Sequence, residues 1–560
     1  MEGWDTETRD GAAFIVACSQ GWRPIAHFED ALSFLCGSYA RGVRNFWWNL
    51  RFDVDAIVKW DEDVARALND TGEARYGDVR ISYIPRKMLK LSRKGQTCYH
   101  YDILQFYNSP LARAAERYLY RPPPAIKHDR SRLWLYPIAE VGAYCQWDAT
   151  ATRDLGVLQV RALHAIEIYP KHFISKGNVA KIACQTEANY STWQDIPNRV
   201  CALAWESFRA GWVDLWKRGT MDVWKYDINS AYPEALRRVP NFKRGTWVRE
   251  LAKEATVGFA SCRVRFRPET PPFLSAWLTK SLYYPTFDEW TRCYLTLSEV
   301  RFLSECADVD IEYAYSFLPD DAEDYPWRGV IDRLLSVKNA NKDDLPLYTA
   351  SKEVVNSCYG NLVETLERGT RQVPGRLFNP VAGSFVTAEC RVAAALAVRQ
   401  ASDSVVAVAT DSVTSTKPLR LKTGSAPGEW KVEAEGKRGT FIQPGIYQVE
   451  NERNHTRGFK VPDDLLSRLE TDSKTIEISW DRPWSMAEAL HHGDFMKANV
   501  FHEETKTISL ANSRRYWLDA PASFRDLLTH EYRSGPVPLS IHPRVWGAPT
   551  SANGRRAKPL

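Results

Sequence analysis

The sequence predicts a multidomain protein of α/β and α+β class. Three observations carry that expectation. The chain has 560 residues, more than one hydrophobic core normally organises. Runs with the two-residue period of strands and segments with the 3.6-residue period of helices interleave along its length. No internal repeat and no long low-complexity tract interrupts them.

From the N-terminus to about residue 165, short strand patterns ("GAAFIVAC", "RNFWWNL", "DVRISYIP", "TCYHYDILQFY") precede helices such as "SPLARAAERYL" and "ATRDLGVLQVRALHAI". The stretch "VWKYDINSAYPEALRR" reads as a strand, a turn and a helix with Pro233 at its first position, where a missing N–H costs nothing. Residues 241 to 325 have the size of an insertion, with strands "VGFASCRVRFRPE" and "DIEYAYSFLP" flanking the helix "LSEVRFLSECA". Residues 326 to 364 read as two helices broken at "NKDDLP". A helix "VTAECRVAAALAVRQA" and a strand run "VVAVATDSVTS" follow, and the tail from about Ser534, ending "NGRRAKPL", is expected to be mobile and mildly basic.

Composition narrows the function classes. Hydrophobic content of 44% and charged content of 26% describe an ordinary globular chain, and 21 Trp make it aromatic-rich. A net charge of +5 is compatible with a polyanionic partner but too small to argue for one. The eleven cysteines form no C-x-x-C pair, so reduced buried thiols are expected and not a zinc site, which fits a cytoplasmic protein. No run approaches the roughly 20 consecutive apolar residues of a membrane span, so no membrane partner is expected.

Three stretches carry chemistry when taken together. Asp227 closes an apolar strand, and Tyr232 lies on the way into the next helix. "KEVVNSCYGNL" would place Lys352, Asn356 and Tyr359 on one helical face, with Gly360 allowing close packing or ending the helix. "VVAVATDSVTS" delivers Thr410 and Asp411 to a turn. Two carboxylates from separate strand ends can hold two Mg²⁺ ions about 4 Å apart, an arrangement that activates a hydroxyl and stabilises a pyrophosphate leaving group. In the N-terminal region, Asp5 and Glu7 alternate along one strand, Asn49, Phe52 and Asp53 follow, and Tyr144 and Asp148 stand at helical i, i+4 spacing. Four carboxylates and a tyrosine suit metal-assisted phosphodiester hydrolysis.

"DINSAYP", "KEVVNSCYG" and "ATDS" resemble, in order, motifs A, B and C of family B DNA polymerases. "WDTETR", "NLRFDVDAI" and "YCQWD" resemble the three motifs of that family's 3′-to-5′ proofreading exonuclease. The resemblance spans nearly the whole chain and is closest to the protein-primed bacteriophage and linear-plasmid subgroup. It implies a ribonuclease H-like exonuclease domain followed by a right-hand polymerase of palm, fingers and thumb. It makes Asp227 and Asp411 the polymerase metal ligands, and Asp5, Glu7, Asp53 and Asp148, with catalytic Tyr144, the exonuclease centre. Tyr232 would discriminate against ribose, Lys338 and Lys352 would meet the triphosphate with Lys342 competing for that role, and Asn356, Tyr359 and Gly360 would line the nascent base pair. Asn49, Phe52, Thr410 and Tyr447 complete the implied substrate-binding set.

The implied division runs 1–165 exonuclease domain, 166–240 connecting segment and first palm part, 241–325 an insertion resembling the terminal-protein-contacting region, 326–364 fingers, 365–484 second palm part, and 485–560 thumb and basic tail. The implied cofactor is Mg²⁺, two ions per active site, with Mn²⁺ able to substitute. The implied partners of a monomeric chain are primer-template DNA, dNTPs and a terminal protein whose hydroxyl-bearing side chain primes synthesis.

The chain departs from the pattern in four places. Ala409 stands where motif C usually has its first aspartate, which weakens cation attraction and predicts a raised Mg²⁺ requirement or a preference for Mn²⁺. Gly445 replaces the lysine of a K-x-Y motif that grips primer-terminal phosphates, with Lys437 or Arg438 as substitutes. Between motifs B and C, "ETLERGTRQVPGRLF" stands in for a larger second insertion, which predicts modest processivity. Asp5 lies so near the first residue that its strand is expected to be very short, which points to a coding start placed late. The first two departures also motivate a rival reading, an exonuclease whose polymerase half has decayed; a non-enzymatic template-binding factor is disfavoured by the clustered carboxylates.

Overall fold

The computed structural model describes residues 1–539 except 125–131, 188–189, 279–280, 369–370, 402, 453–454, 456–467 and 512–513. Two compact units emerge, each built from separated stretches of chain. The first comprises Met1–Thr186, Arg333–Ser357 and Ser479–Glu504; the second comprises Glu187–Asp332, Cys358–Ile478 and the chain from Thr505 onward.

The first unit is organised by an eight-stranded mixed sheet. Its order is Gly21–Pro24, Ala12–Cys18, Glu2–Arg9, Asn45–Trp47, Gln96–Asp102, Met88–Arg93, Val79–Ile84, Glu73–Tyr76. The strand Asn45–Trp47 runs parallel to both neighbours, and the other pairs are antiparallel. Glu2–Arg9 has eight residues, longer than the very short strand expected, because Ala12–Cys18 pairs with it along most of its length. The helix Ile138–Ala165 crosses this strand closely: a Cβ on Gly3 would meet the Ala149 carbonyl oxygen at 1.9 Å, so only glycine fits. The helix begins well before "ATRDL", because Pro137 stands at its N-cap and the apolar side chains of Val141, Tyr144 and Cys145 already pack on the sheet. Trp4, Trp47 and Leu50 anchor a core that also takes in Met486, Ala489, Phe495 and Ala498. Lys59 fastens that late segment, its ammonium donating to the carbonyls of Asp10, Met496 and Ala498 at 2.6, 2.7 and 2.8 Å.

The second unit is built on an antiparallel sheet in the order Ile446–Val449, Trp430–Gln443, Lys217–Ile228, Ser412–Ser415, Val405–Ala409, Val213–Leu215. The strand Glu531–Gly535 joins Lys217–Ile228, and Leu539 N–H donates to Thr286, so residues 534–539 are tied down where a mobile tail was expected. The basic end of that tail lies outside the described residues. A second sheet, Gly245–Val248, Ala307–Pro319, Val257–Phe266, Thr291–Thr296, with the helix Leu297–Cys306, occupies the segment read as an insertion. That helix opens with a reciprocal cap in which Thr296 and Glu299 satisfy each other's backbone N–H groups. Glu299 also pairs with Arg391 at 2.8 Å, both side chains fully buried. Burial pushes the Glu299 carboxyl up, but Arg391 and Arg209 outweigh it and hold the group below its ordinary range. Arg391 belongs to Pro380–Ala401, the one described helix long and apolar enough to cross a membrane; 78% of its most apolar window is buried within the fold. Between motifs B and C the chain forms a small hairpin, Thr365–Arg368 with Arg371–Pro374.

Candidate active sites

The N-terminal centre gathers residues from three elements. Alternation along Glu2–Arg9 sends Asp5 and Glu7 to the face over which Ile138–Ala165 passes. One turn of that helix carries Tyr144, Cys145 and Asp148, and the Tyr144 hydroxyl donates to Asp148 Oδ2 at 2.8 Å. One oxygen each of Asp5 and Glu7 and the sulfur of Cys145 lie within 4.8 Å of one another. The Cys145 thiol donates to Asp5 Oδ2 at 3.7 Å. Burial pushes that thiol far up, and the charges of Asp5, Glu7, Asp148 and Asp53 push it further.

Asp53, in the helix Leu50–Val58, is 1% exposed; its Oδ1 accepts from the Thr6 hydroxyl at 2.7 Å, while Oδ2 has no hydrogen-bond partner. Burial is the main reason its carboxyl is pushed up to about 8, with the Thr6 hydrogen bond opposing and Asp102 adding to the rise. Asn49 precedes the helix in a left-handed conformation (φ 68°), its N–H donating to Asp102 Oδ1 at 3.3 Å. The Phe52 carbonyl accepts from Asn499, and its ring lies 6.3 Å from that of Phe501.

Sequence reasoning missed Cys145 and Asp102. Cys145 was detectable, since it stands at i, i+3 to Asp148 within a motif already singled out. Asp102 carried no local signal, because it enters only through the parallel pairing that sets Trp47 opposite it.

The second centre lies on the sheet of the second unit. Asp227 stands opposite Ser412 in the antiparallel register, and Ile228 N–H donates to the Asp411 carbonyl at 2.9 Å. The strand run therefore folds back as Val405–Ala409 and Ser412–Ser415, with Thr410 (φ 66°) and Asp411 at the tip. Burial pushes the Asp227 carboxyl up to about 7, and the charges of Asp411 and then Glu433 add to it. Asp411 is raised by burial and by Glu433. Glu433 was not foreseen; it lies at the register shift between Lys225 and Tyr226, pairs with Lys225 at 3.1 Å, and its charge raises both carboxyls.

Tyr232 packs its ring 4.8 Å from that of Tyr359. The helix after Asp227 starts at Ala231, so Pro233 is its third residue and not its first. The first three N–H groups of a helix lack internal partners, which is why proline is still tolerated there. The helix Leu345–Cys358 holds Lys352 and Asn356, both exposed, but tightens to a 3₁₀ turn at Tyr359, so Tyr359 and exposed Gly360 do not continue the α-helical face. In the first unit, burial lowers the Lys338 ammonium and the like charges of Lys352 and Lys342 lower it further.

Tyr447 is only 8% exposed, stacked on Phe441 at 5.2 Å and His455 at 4.4 Å. Gly445 occupies the turn joining Trp430–Gln443 to Ile446–Val449 with φ 78°, a conformation a lysine adopts only with strain. Arg438, a proposed stand-in, is paired with Asp222 at 3.3 Å.

The mixed α/β and α+β fold is shared with solved structures of a DNA polymerase at 14% sequence identity. Several of the matching solved structures are of Phi29 DNA polymerase. With primer-template DNA and incoming nucleotide, that polymerase matches at a TM-score of 0.65 and 14% identity, covering 91% of this chain and 99% of the other. Its post-translocation complex with primer-template DNA matches at 0.65, with 14% identity and 91% and 100% coverage. In sequence, a protein described as "Probable DNA polymerase" from Ascobolus immersus is 24% identical over 231 residues, 40% of this chain but only 19% of that protein's length. No family model matches the chain.

Proposed function

We propose that the chain is a DNA-directed DNA polymerase that adds deoxynucleoside monophosphates to a 3′ hydroxyl and proofreads with a 3′-to-5′ exonuclease. The observation that supports it most is the register that sets Asp227 beside the hairpin tip carrying Asp411, in a fold shared with a DNA polymerase. The donors suit divalent cations: hard carboxylate oxygens, crowded by like charge and partly withdrawn from water, have their protons held up until a cation offsets the repulsion. Bound divalent ions supply the charge that favours loss of the 3′-hydroxyl proton and stabilises departing pyrophosphate.

The chain's own residues have these parts in the proposal. Asp227 and Asp411 hold Mg²⁺, with Mn²⁺ as substitute. Tyr232, braced by Tyr359, presents an aromatic wall to the sugar and excludes a 2′ hydroxyl. Lys338 and Lys352 receive phosphate charge, and Asn356 and Gly360 face a base pair from an exposed surface. At the N-terminal centre, Asp5, Glu7, Asp53 and Asp148 hold cations, Tyr144 orients Asp148, and Asn49 and Phe52 steady the strand to be cut. Priming by a terminal protein on the 241–325 segment, action as a monomer and work in the cytoplasm of a host cell complete the proposal.

The test is incubation with labelled dNTP and Mg²⁺ or Mn²⁺, with and without a primed template. Extension of the primer is expected, and label on a partner protein would establish protein priming. Failure to extend any primed template with either metal overturns the polymerase reading.

A further inference from the structure

The donor set of the N-terminal centre differs in kind from that of the second. Asp5, Glu7 and Cys145 offer two hard oxygens and one soft sulfur within 4.8 Å of one another, the one such donor group among the described residues. For a tetrahedral zinc-type ion, ligand distances of about 2.1 Å to oxygen and 2.3 Å to sulfur set an oxygen–sulfur edge of about 3.6 Å. Asp5 Oδ2 and Cys145 Sγ stand 3.7 Å apart, so this edge is already formed. The second observation is Asp53, almost fully buried, held at Oδ1 by Thr6, which stands between Asp5 and Glu7 on their strand, and left with an unpartnered Oδ2. A buried carboxylate oxygen without a donor is costly unless a cation or proton satisfies it.

We infer that Asp5, Glu7 and Cys145 form a mixed carboxylate–thiolate site for a borderline or soft divalent ion, of the Zn²⁺ or Cd²⁺ class, within the proposed nuclease centre. Hard all-oxygen donors favour Mg²⁺, whereas a thiolate favours softer ions. On binding, the sulfur forms the metal bond as the thiol proton leaves to solvent, so the electron count is unchanged and one proton is released. The consequence is chemical selectivity: this centre is captured by low concentrations of a thiophilic ion that the carboxylates of the polymerase centre bind no better than other sites do. The inference rests on the nuclease reading only for the expectation that cations belong here.

The experiment titrates the full-length, chelator-stripped chain with Cd²⁺ and follows the thiolate-to-cadmium charge-transfer absorption in the ultraviolet, with Mg²⁺ in excess. One equivalent of Cd²⁺ producing the band is expected. Its affinity should fall by more than about tenfold in C145S and in the D5N/E7Q double variant, as loss of direct ligands requires. It should survive in C390S, which removes a thiol on which the charge of Asp411 acts. C145A serves as the second variant where C145S does not fold, with circular dichroism checking each. Absence of a band, or a band unchanged in C145S, C145A or D5N/E7Q, overturns the site. Nuclease assays are read separately. A band that depends on Cys145 in a chain that never shortens DNA sinks the nuclease reading alone, whereas Mg²⁺-dependent shortening without the band sinks the thiolate site alone.

Discussion

The two acidic centres are assembled by opposite means. In the second unit, Asp227 ends one strand and Asp411 sits at the tip of the hairpin paired with it, so hydrogen-bond register brings them together. In the first unit the acids come from a strand, a short helix and a long helix, and their meeting depends on close packing of Ile138–Ala165 over Gly3. The register-built centre is half-exposed and all oxygen, and the packing-built one encloses an almost fully buried acid and a thiol. A sheet register positions few groups and leaves them partly exposed, whereas a helix laid on a strand positions more of them at a higher cost in desolvation.

The sharpest way to break this comparison is to delete one centre at a time. D227A should lower primer extension by about a thousandfold or more while leaving 3′-to-5′ digestion within about twofold, and D148A should do the reverse. Gel assays on one labelled primer measure both, and a variant that loses both activities would show that the centres are not separate.

The next effect is on stability. Folded Asp53 keeps its proton up to about pH 8, whereas the unfolded chain loses it near pH 4, so the folded state binds more protons in that window. Metal-free chain should therefore lose stability as pH rises from about 4 to about 8, by an amount on the order of a few kcal/mol. Urea denaturation at pH 5 and pH 8 measures it, and D53N should flatten the slope. An equal slope in D53N would refute the account.

A smaller effect concerns the register-built centre. Restoring a carboxylate with A409D should lower the Mg²⁺ concentration for half-maximal extension by about tenfold, equivalent to about 1.4 kcal/mol. Wild-type extension already saturated at micromolar Mg²⁺ would contradict it. The smallest effect belongs to Gly445, where a lysine in left-handed backbone should cost about 1 kcal/mol of stability, read as a lowered melting temperature.

The sequence made the register-built centre almost fully legible. An apolar run, a turn-forming Thr410-Asp411 pair and a second strand suffice to predict a hairpin, and the structure has one. Tyr144 and Asp148 were likewise legible, since four-residue spacing on a helix places them together. Asp102, Glu433 and the shared core of Trp4 with Phe495 were not, because each depends on contacts between residues far apart in the chain. Nor does local periodicity reveal that residues 333–357 and 479–504 pack with the first 186. The Gly445 departure, read as a lost phosphate contact, acquires a backbone reason only once its φ of 78° is known.

Lys59 carries a consequence for how the chain is born. Two of its three carbonyl partners, those of Met496 and Ala498, are made more than four hundred residues after it. During translation the first unit therefore waits with that ammonium still in water and an open core until the ribosome has released residues up to about 504. A gene fragment stopping at residue 186 should yield a chain that chaperones hold and proteases clear.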